Sequence, residues 1–175
     1  MSISYKTPAY FLNFSCLGSD CEDTCCRDWK VNIDRQHYAL LQEKMYEYDD
    51  ERNVFDKYIH LNQNAISGDY DYAFIRMDEN GYCGMLDDNK LCSIHARHGV
   101  SVLGDVCTMF PRVIPRHDNT IELSGALSCP EVVRICIDEK LPLKLKNFKP
   151  SELPRSKNYP IQRDLSDLNG DFYLQ

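Results

Sequence analysis

Apolar residues recur along this chain with two different periods, and each period predicts a different kind of element. After Asp34, the residues Tyr38, Leu41, Met45 and Tyr48 fall three or four apart, which predicts an amphipathic helix to about Tyr48 with Asp34 as its N-cap. Val54, Tyr58 and Leu61 share one face in the same manner and predict a second helix over about 50–62. Both stripes read as core-facing. The run YAFIRMDENGYCGML, 72–86, predicts a β-hairpin closed by the turn Asp78-Glu79-Asn80-Gly81. DDNK at 87–90 marks another turn, and a short helix is predicted within Leu91–His98. TIELSGALS, 120–128, reads as a strand, and Pro130 opens a helix to about Asp138, because its fixed φ suits the first helical turn. The first 33 residues follow neither period and read as irregular or short extended structure. The expected fold class is α+β: a helix-rich, irregular domain with a small hairpin.

Composition narrows this. The 175 residues carry a formal charge of −7, so a general nucleic-acid binder is not expected, since phosphate neutralisation needs a basic surface. The acid is concentrated in residues 1–138 (net −9), whereas 139–175 are net +2 and hold four of the eight prolines and no cysteine. The expected organisation is therefore a cysteine-cluster domain over 1–138 and a proline-containing linker or C-terminal arm over 139–175, the possible start of a missing region. No stretch approaches the ~18–20 apolar residues of a membrane span. The opening MSISYKTPAYFLNF shows no signal-peptide pattern, so a reducing cytoplasm is the expected location.

The nine cysteines change the picture most. Four of them crowd into CLGSDCEDTCCRDW, 16–29, and the others stand at 83, 92, 107, 129 and 136. Cys136 lies among Val132, Val133, Ile135 and Ile137 and reads as core. Cys21, Cys25 and Cys26 are flanked by Asp20, Glu22, Asp23, Arg27 and Asp28, which offer no apolar face to bury. A disulfide between adjacent Cys25 and Cys26 would strain the backbone. The remaining reading is a thiolate-held metal centre: one loop supplies some ligands and the fold brings up the rest. The spacing C-x4-C-x3-C-C contains no C-x2-C knuckle of a zinc ribbon. It also lacks the third cysteine of the radical S-adenosylmethionine signature, whose position is Asp28. An iron-sulfur cluster on scattered cysteines stays open, with zinc as the alternative. His95 and His98 follow Cys92 closely, but lone histidines are more often solvated than ligating. Trp29 is expected to pack over the centre and exclude water. Arg112, in the FPR triplet, is weighed as a bidentate holder of a carboxylate against an ordinary surface ion pair.

The segments KTPAYFLNFSCLGSDCEDTCCRDWKVNID, YCGMLDDNKLCSIHARHG, CTMFPR and LSCPEVVRI, in that order, resemble the flagellin lysine-N-methylase family, over about residues 6–138. That family belongs with a wider set of cysteine-cluster proteins held to chelate zinc or iron. The resemblance implies methylation of lysine ε-amino groups on flagellin with S-adenosylmethionine as donor. It places Cys16, Cys21, Cys25, Cys26, Cys83, Cys92, Cys107 and Cys129 on the family's cysteine positions. It also implies an iron-sulfur cluster, with the 4Fe-4S type favoured. Gly84 stands where the family usually has proline, and family members are usually much longer. The eight glycines form no donor-binding loop of the doubly wound methyltransferase kind. A non-catalytic iron-sulfur or zinc module, or a metal-chelating domain, is the competing expectation.

Overall fold

The computed structural model describes residues 3–65, 70–140, 143–152 and 163–164. It divides into two units, Met1–Leu17 with Met109–Gln175, and Gly18–Thr108. The chain is α+β, as its two sequence periods predict.

The first unit is built on a five-stranded sheet. Its strands are β1 (Ser4–Pro8), β6 (Pro115–His117), β7 (Thr120–Glu122), β9 (Leu145–Asn147) and β10 (Arg163–Asp164), in the order β10-β6-β7-β1-β9. β1 runs parallel to β7, with Tyr5 beside Ile121, and antiparallel to β9. β5 (Arg112–Val113) and β8 (Ser124–Gly125) form a separate antiparallel pair. The strand expected over 120–128 is thus two short strands, β7 and β8, which pair with different partners. Helix α5 (Pro130–Asp138) begins at the proline, as its sequence predicts. Its Val132 is fully buried with Tyr10, Phe11, Met109, Ile114, Ile121, Leu123, Cys129 and Phe148. Gly125 is required there, since a Cβ would come within 2.5 Å of Phe11 and 2.6 Å of Val132. Cys136 packs against this core, as expected from its apolar neighbours.

The second unit carries a three-stranded antiparallel sheet of β2 (Val31–Ile33), β3 (Ile59–Leu61) and β4 (Ala73–Ile75), ordered β2-β4-β3. Helices α1 (Arg35–Met45), α2 (Asp49–Tyr58), α3 (Ser93–His98) and α4 (Asp105–Met109) complete it. Asp34 caps α1, accepting from the His37 backbone N–H at 3.0 Å. The first helix ends three residues short of Tyr48, because Tyr48 takes extended backbone as the N-cap of α2. The second ends at Tyr58: Ile59, His60 and Leu61 gain more by pairing with Ile75, Phe74 and Ala73 than by extending a helix. Residues 72–86 do turn back at Asp78–Gly81, but their return arm makes only single bridges, such as Met77 with Cys83. The core here is Val31, Ile33, Leu41, Met45, Phe55, Ile59, Ala73, Ile75, Cys83, Met85, Ile94, Val102 and Leu103.

Candidate metal centre

Backbone pairing, rather than side-chain packing, draws the first cysteines to the later ones. The polar loop 18–30 opens with a 3₁₀ turn, Gly18–Asp20, where the Cys21 N–H donates to the Gly18 carbonyl at 3.2 Å. Thr24 Oγ1 accepts from the Cys26 N–H at 3.2 Å and fixes the bend at the cysteine pair. Arg27 then forms a bridge with Tyr82; the Cys83 N–H donates to the Cys26 carbonyl and the Asp28 N–H to the Gly81 carbonyl, both at 2.8 Å. Asp28 and Gly81 both sit at positive φ, which lets the two loops close on each other.

The same segment then carries Cys83 to Cys92. Leu86 N–H donates to the Cys83 carbonyl at 3.0 Å, and Leu86 bridges Cys92. The backbone N–H and hydroxyl of Ser93 both donate to the Met85 carbonyl at 2.9 Å. Between them, Asp87 closes the DDNK turn by accepting from the Asn89 and Leu91 N–H groups at 2.9 Å. Gly84 has its own reason: a Cβ there would come within 2.1 Å of the Tyr58 ring, which lies against the backbone beside Cys83.

The thiols sense one another. Cys25 is lowered to about 7 by a hydrogen bond from the Cys26 thiol, against burial and the nearby Asp23 carboxylate. Cys26 is pushed up, first by that bond and then by burial and the charges of Cys25, Cys83 and Cys107. Burial pushes Cys83 up to about 11, with Cys92 and Cys25 adding to it. Burial likewise raises Cys92, and the charge of Cys25 adds. Five sulfurs, those of Cys25, Cys26, Cys83, Cys92 and Cys107, therefore share one electrostatic neighbourhood. Of these, Cys26, Cys83 and Cys92 hold their protons until a cation offsets the thiolate charge. The donor set fits a soft or borderline metal or an iron-sulfur cluster.

The other expected site residues are placed as follows. Cys21 is half-buried in the same loop as Cys25. Exposed Cys16 and buried Cys129 belong to the first unit. Trp29 is half-buried, packs on the second unit's core and donates from Nε1 to the Cys25 carbonyl at 2.7 Å. His98 Nε2 lies 2.8 Å from buried Glu51 Oε2, and His95 is exposed. Arg112 stacks over Phe14 at 5.5 Å; burial lowers its pKa while Cys16 acts to raise it. One group went unread in the sequence: Asp34, His37 and Asp105 bring potential ligand atoms within 4.8 Å of one another. Its legible half is the i, i+3 spacing of Asp34 and His37 at a helix start.

Residues 15–130 match the model of the CxxCxxCC family, described as "Putative zinc- or iron-chelating domain", and the chain belongs to that family. Its own cysteines are spaced more widely than the family's name, with four and three residues between the first three where the name has two. Among curated relatives, it is 29% identical over 172 residues to proteins named lysine-N-methylase from Salmonella choleraesuis and Salmonella typhimurium. Those matches take in 95% of this chain, which spans 41% of the length of those relatives. It is 28% identical over 171 residues to the flagellar biosynthetic protein FliU of Salmonella muenchen, covering 91% of this chain and 96% of that one. No solved structure matches.

Proposed function

We propose that this chain is the cluster-bearing part of a protein-lysine N-methylation enzyme that acts on flagellin with S-adenosylmethionine as methyl donor. The reading of the activity is supported by relatives named lysine-N-methylase and FliU, aligned over nearly all of this chain. The reading of the centre is carried by one observation: Cys25, Cys26, Cys83 and Cys92 are drawn together by backbone pairing and share an electrostatic neighbourhood with Cys107. The proposed ligands come from these five and from Cys16, Cys21 and Cys129. Among the described residues, no three of these sulfurs lie within 4.8 Å of one another. The family resemblance favours a 4Fe-4S cluster, with zinc as the alternative. When bound, such a centre supplies a tie between loops that are otherwise joined by a few hydrogen bonds.

This chain's own residues contribute charge and placement. Transfer requires a neutral lysine amine aligned with a sulfonium methyl. The net −9 of residues 1–138 draws a cationic lysine side chain toward the protein. Arg112 is assigned to the carboxylate of the donor, where a planar guanidinium binds bidentately. The boundary near residue 138 and a cytoplasmic location belong to the same proposal.

The competing reading, a chelating module without catalysis, is favoured by the match to a family described by chelation alone. Anaerobic purification with analysis of iron, zinc and acid-labile sulfide tests the centre. Incubation with flagellin and methyl-labelled S-adenosylmethionine tests the activity. Iron and sulfide with label on flagellin lysines is the expected result. A metal-loaded chain that binds no donor leaves the module reading in its place.

A further inference from the structure

We propose that the cavity walled by α1, α2, α3 and the turn at Asp87 is the pocket for a substrate lysine side chain, a primary ammonium on a four-carbon stem. The proposal rests on the lysine-methylation reading above and gives it a substrate site within the second unit. The cavity measures about 490 Å³ and is lined by Met45, Val54 and Ala96 together with Asp50, Glu51 and Asp87. That is about three times the ~150 Å³ in which a benzene ring fits, and within the range of small-molecule sites.

Three helices give this wall two chemistries. Met45 ends α1 and is 2% exposed, and Glu51 and Val54 stand three apart on α2 and so share its face. Glu51 is 8% exposed, whereas Asp50, Asp87 and Ala96 are exposed at the mouth. A lysine enters head first, so its ammonium needs a carboxylate at depth and its methylenes need apolar walls. Glu51 supplies the first; Met45, Val54 and Ala96 supply the second. The one guanidinium on the wall, Arg97, stacks over Tyr48 at 5.0 Å, and its Nη1 lies 3.0 Å from Glu51 Oε1 and 3.3 Å from Asp50 Oδ2. A carboxylate accepts up to about four hydrogen bonds. Glu51, shared by Arg97 and His98, and Asp50, held by Arg97, therefore keep lone pairs for a further donor.

The spacing of the carboxylates selects the kind of cation. Among the described residues, Asp50, Glu51 and Asp87 do not bring three ligand atoms within 4.8 Å of one another, which is too open for a single metal ion. An ammonium on a flexible stem carries three rotatable donors and reaches acceptors set apart, whereas a guanidinium is a rigid planar fork. Asp87 uses Oδ1 to accept from the Asn89 and Leu91 N–H groups, which fixes its carboxylate at the mouth. The pocket also borders the thiolate centre. Asp87 and Ser93, both on its wall, flank Cys92, whose thiol feels the Asp87 charge. A centre that holds Cys83 and Cys92 thus holds one side of the pocket in place.

The test uses the full chain, purified anaerobically with its thiolate centre as isolated. It is titrated with Nα-acetyl-lysine methylamide and with the norleucine and arginine counterparts of that probe. The expected result is saturable millimolar binding of the lysine probe alone. Binding should weaken about threefold or more in Asp50→Asn, and about tenfold or more in Ala96→Leu, which fills the cavity from an exposed helix position. Glu51 is left intact because it also ties α2 to α3. Equal binding of the norleucine probe, tighter binding of the arginine probe, or no binding up to about 50 mM overturns the proposal. Probe selectivity is read on the unaltered chain, so it decides even if a variant fails to fold. Methyl transfer to flagellin is measured in parallel. A chain that binds the lysine probe yet labels no flagellin supports the pocket and removes the methylation reading. Labelling by Ala96→Leu as fast as by the parent overturns the pocket and leaves that reading standing.

Discussion

Replacing Cys83 by alanine separates a metal ligand from a core filler, and the structure supplies the magnitudes. Cys83 is 7% exposed and belongs to the hydrophobic core of the second unit. As a filler it loses one sulfur's packing, about 1–2 kcal/mol, whether or not metal is present. As a ligand it loses that amount plus its share of the coordination energy. A structural thiolate site provides roughly 10–16 kcal/mol, or on the order of 3 kcal/mol for each of four ligands. That share is already net of deprotonation, which is costly here. With the thiol pushed up to about 11 by burial, forming the thiolate at pH 7 costs about 5 kcal/mol. Each protonated thiol displaced also makes the apparent metal affinity rise about tenfold per pH unit between pH 7 and 11. The assay is urea unfolding of the parent and Cys83→Ala chains, each with metal and after complete chelation, with metal content by elemental analysis. The expected outcome is a loss of about 1–2 kcal/mol in the stripped pair, a loss larger by about 3 kcal/mol in the loaded pair, and reduced metal content. An equal loss in both pairs with full metal retained would refute it.

In the metal-free chain, Cys25 should alkylate first, with a rate rising through about pH 7 rather than through the ordinary thiol range. Its folded pKa is depressed, so its contribution to stability is present above the unfolded value and is lost as pH falls through about 7. Mass mapping of iodoacetamide adducts against pH checks this, and first labelling at Cys83 or Cys92 would contradict it. Gly84→Ala drives a methyl into the Tyr58 ring and should cost about 1–3 kcal/mol, largely recovered by Tyr58→Ala in the double variant. Additive losses in urea unfolding would contradict that. Glu51→Ala removes the partner of His98 at 2.8 Å and of Arg97 at 3.0 Å and should destabilise by about 2–3 kcal/mol. Glu51→Gln keeps an acceptor for His98 and should cost less, as thermal unfolding would show.

The local pattern determined much of this protein. Asp34 as a cap, Pro130 as a helix start, the turns at Asp78–Gly81 and Asp87–Lys90, and the apolar stripe of α1 are consequences of backbone sterics and side-chain spacing within a few residues. The polar surroundings of Cys21, Cys25 and Cys26 likewise make these thiols candidate ligands from the sequence alone. Other features depend on partners far away in the chain. Residues 59–61 continue a helical stripe, yet become a strand because β4 offers them hydrogen bonds and a packed face. The division of the eight marked cysteines between two units is equally invisible in their spacing, since nothing local says which loop Cys26 pairs with. The meeting of Asp34 and His37 with Asp105 is of the same kind. Short-range rules choose an element's conformation, but ligands and strands meet only where folding closes long loops, and the energy of that closure is set by tertiary contacts.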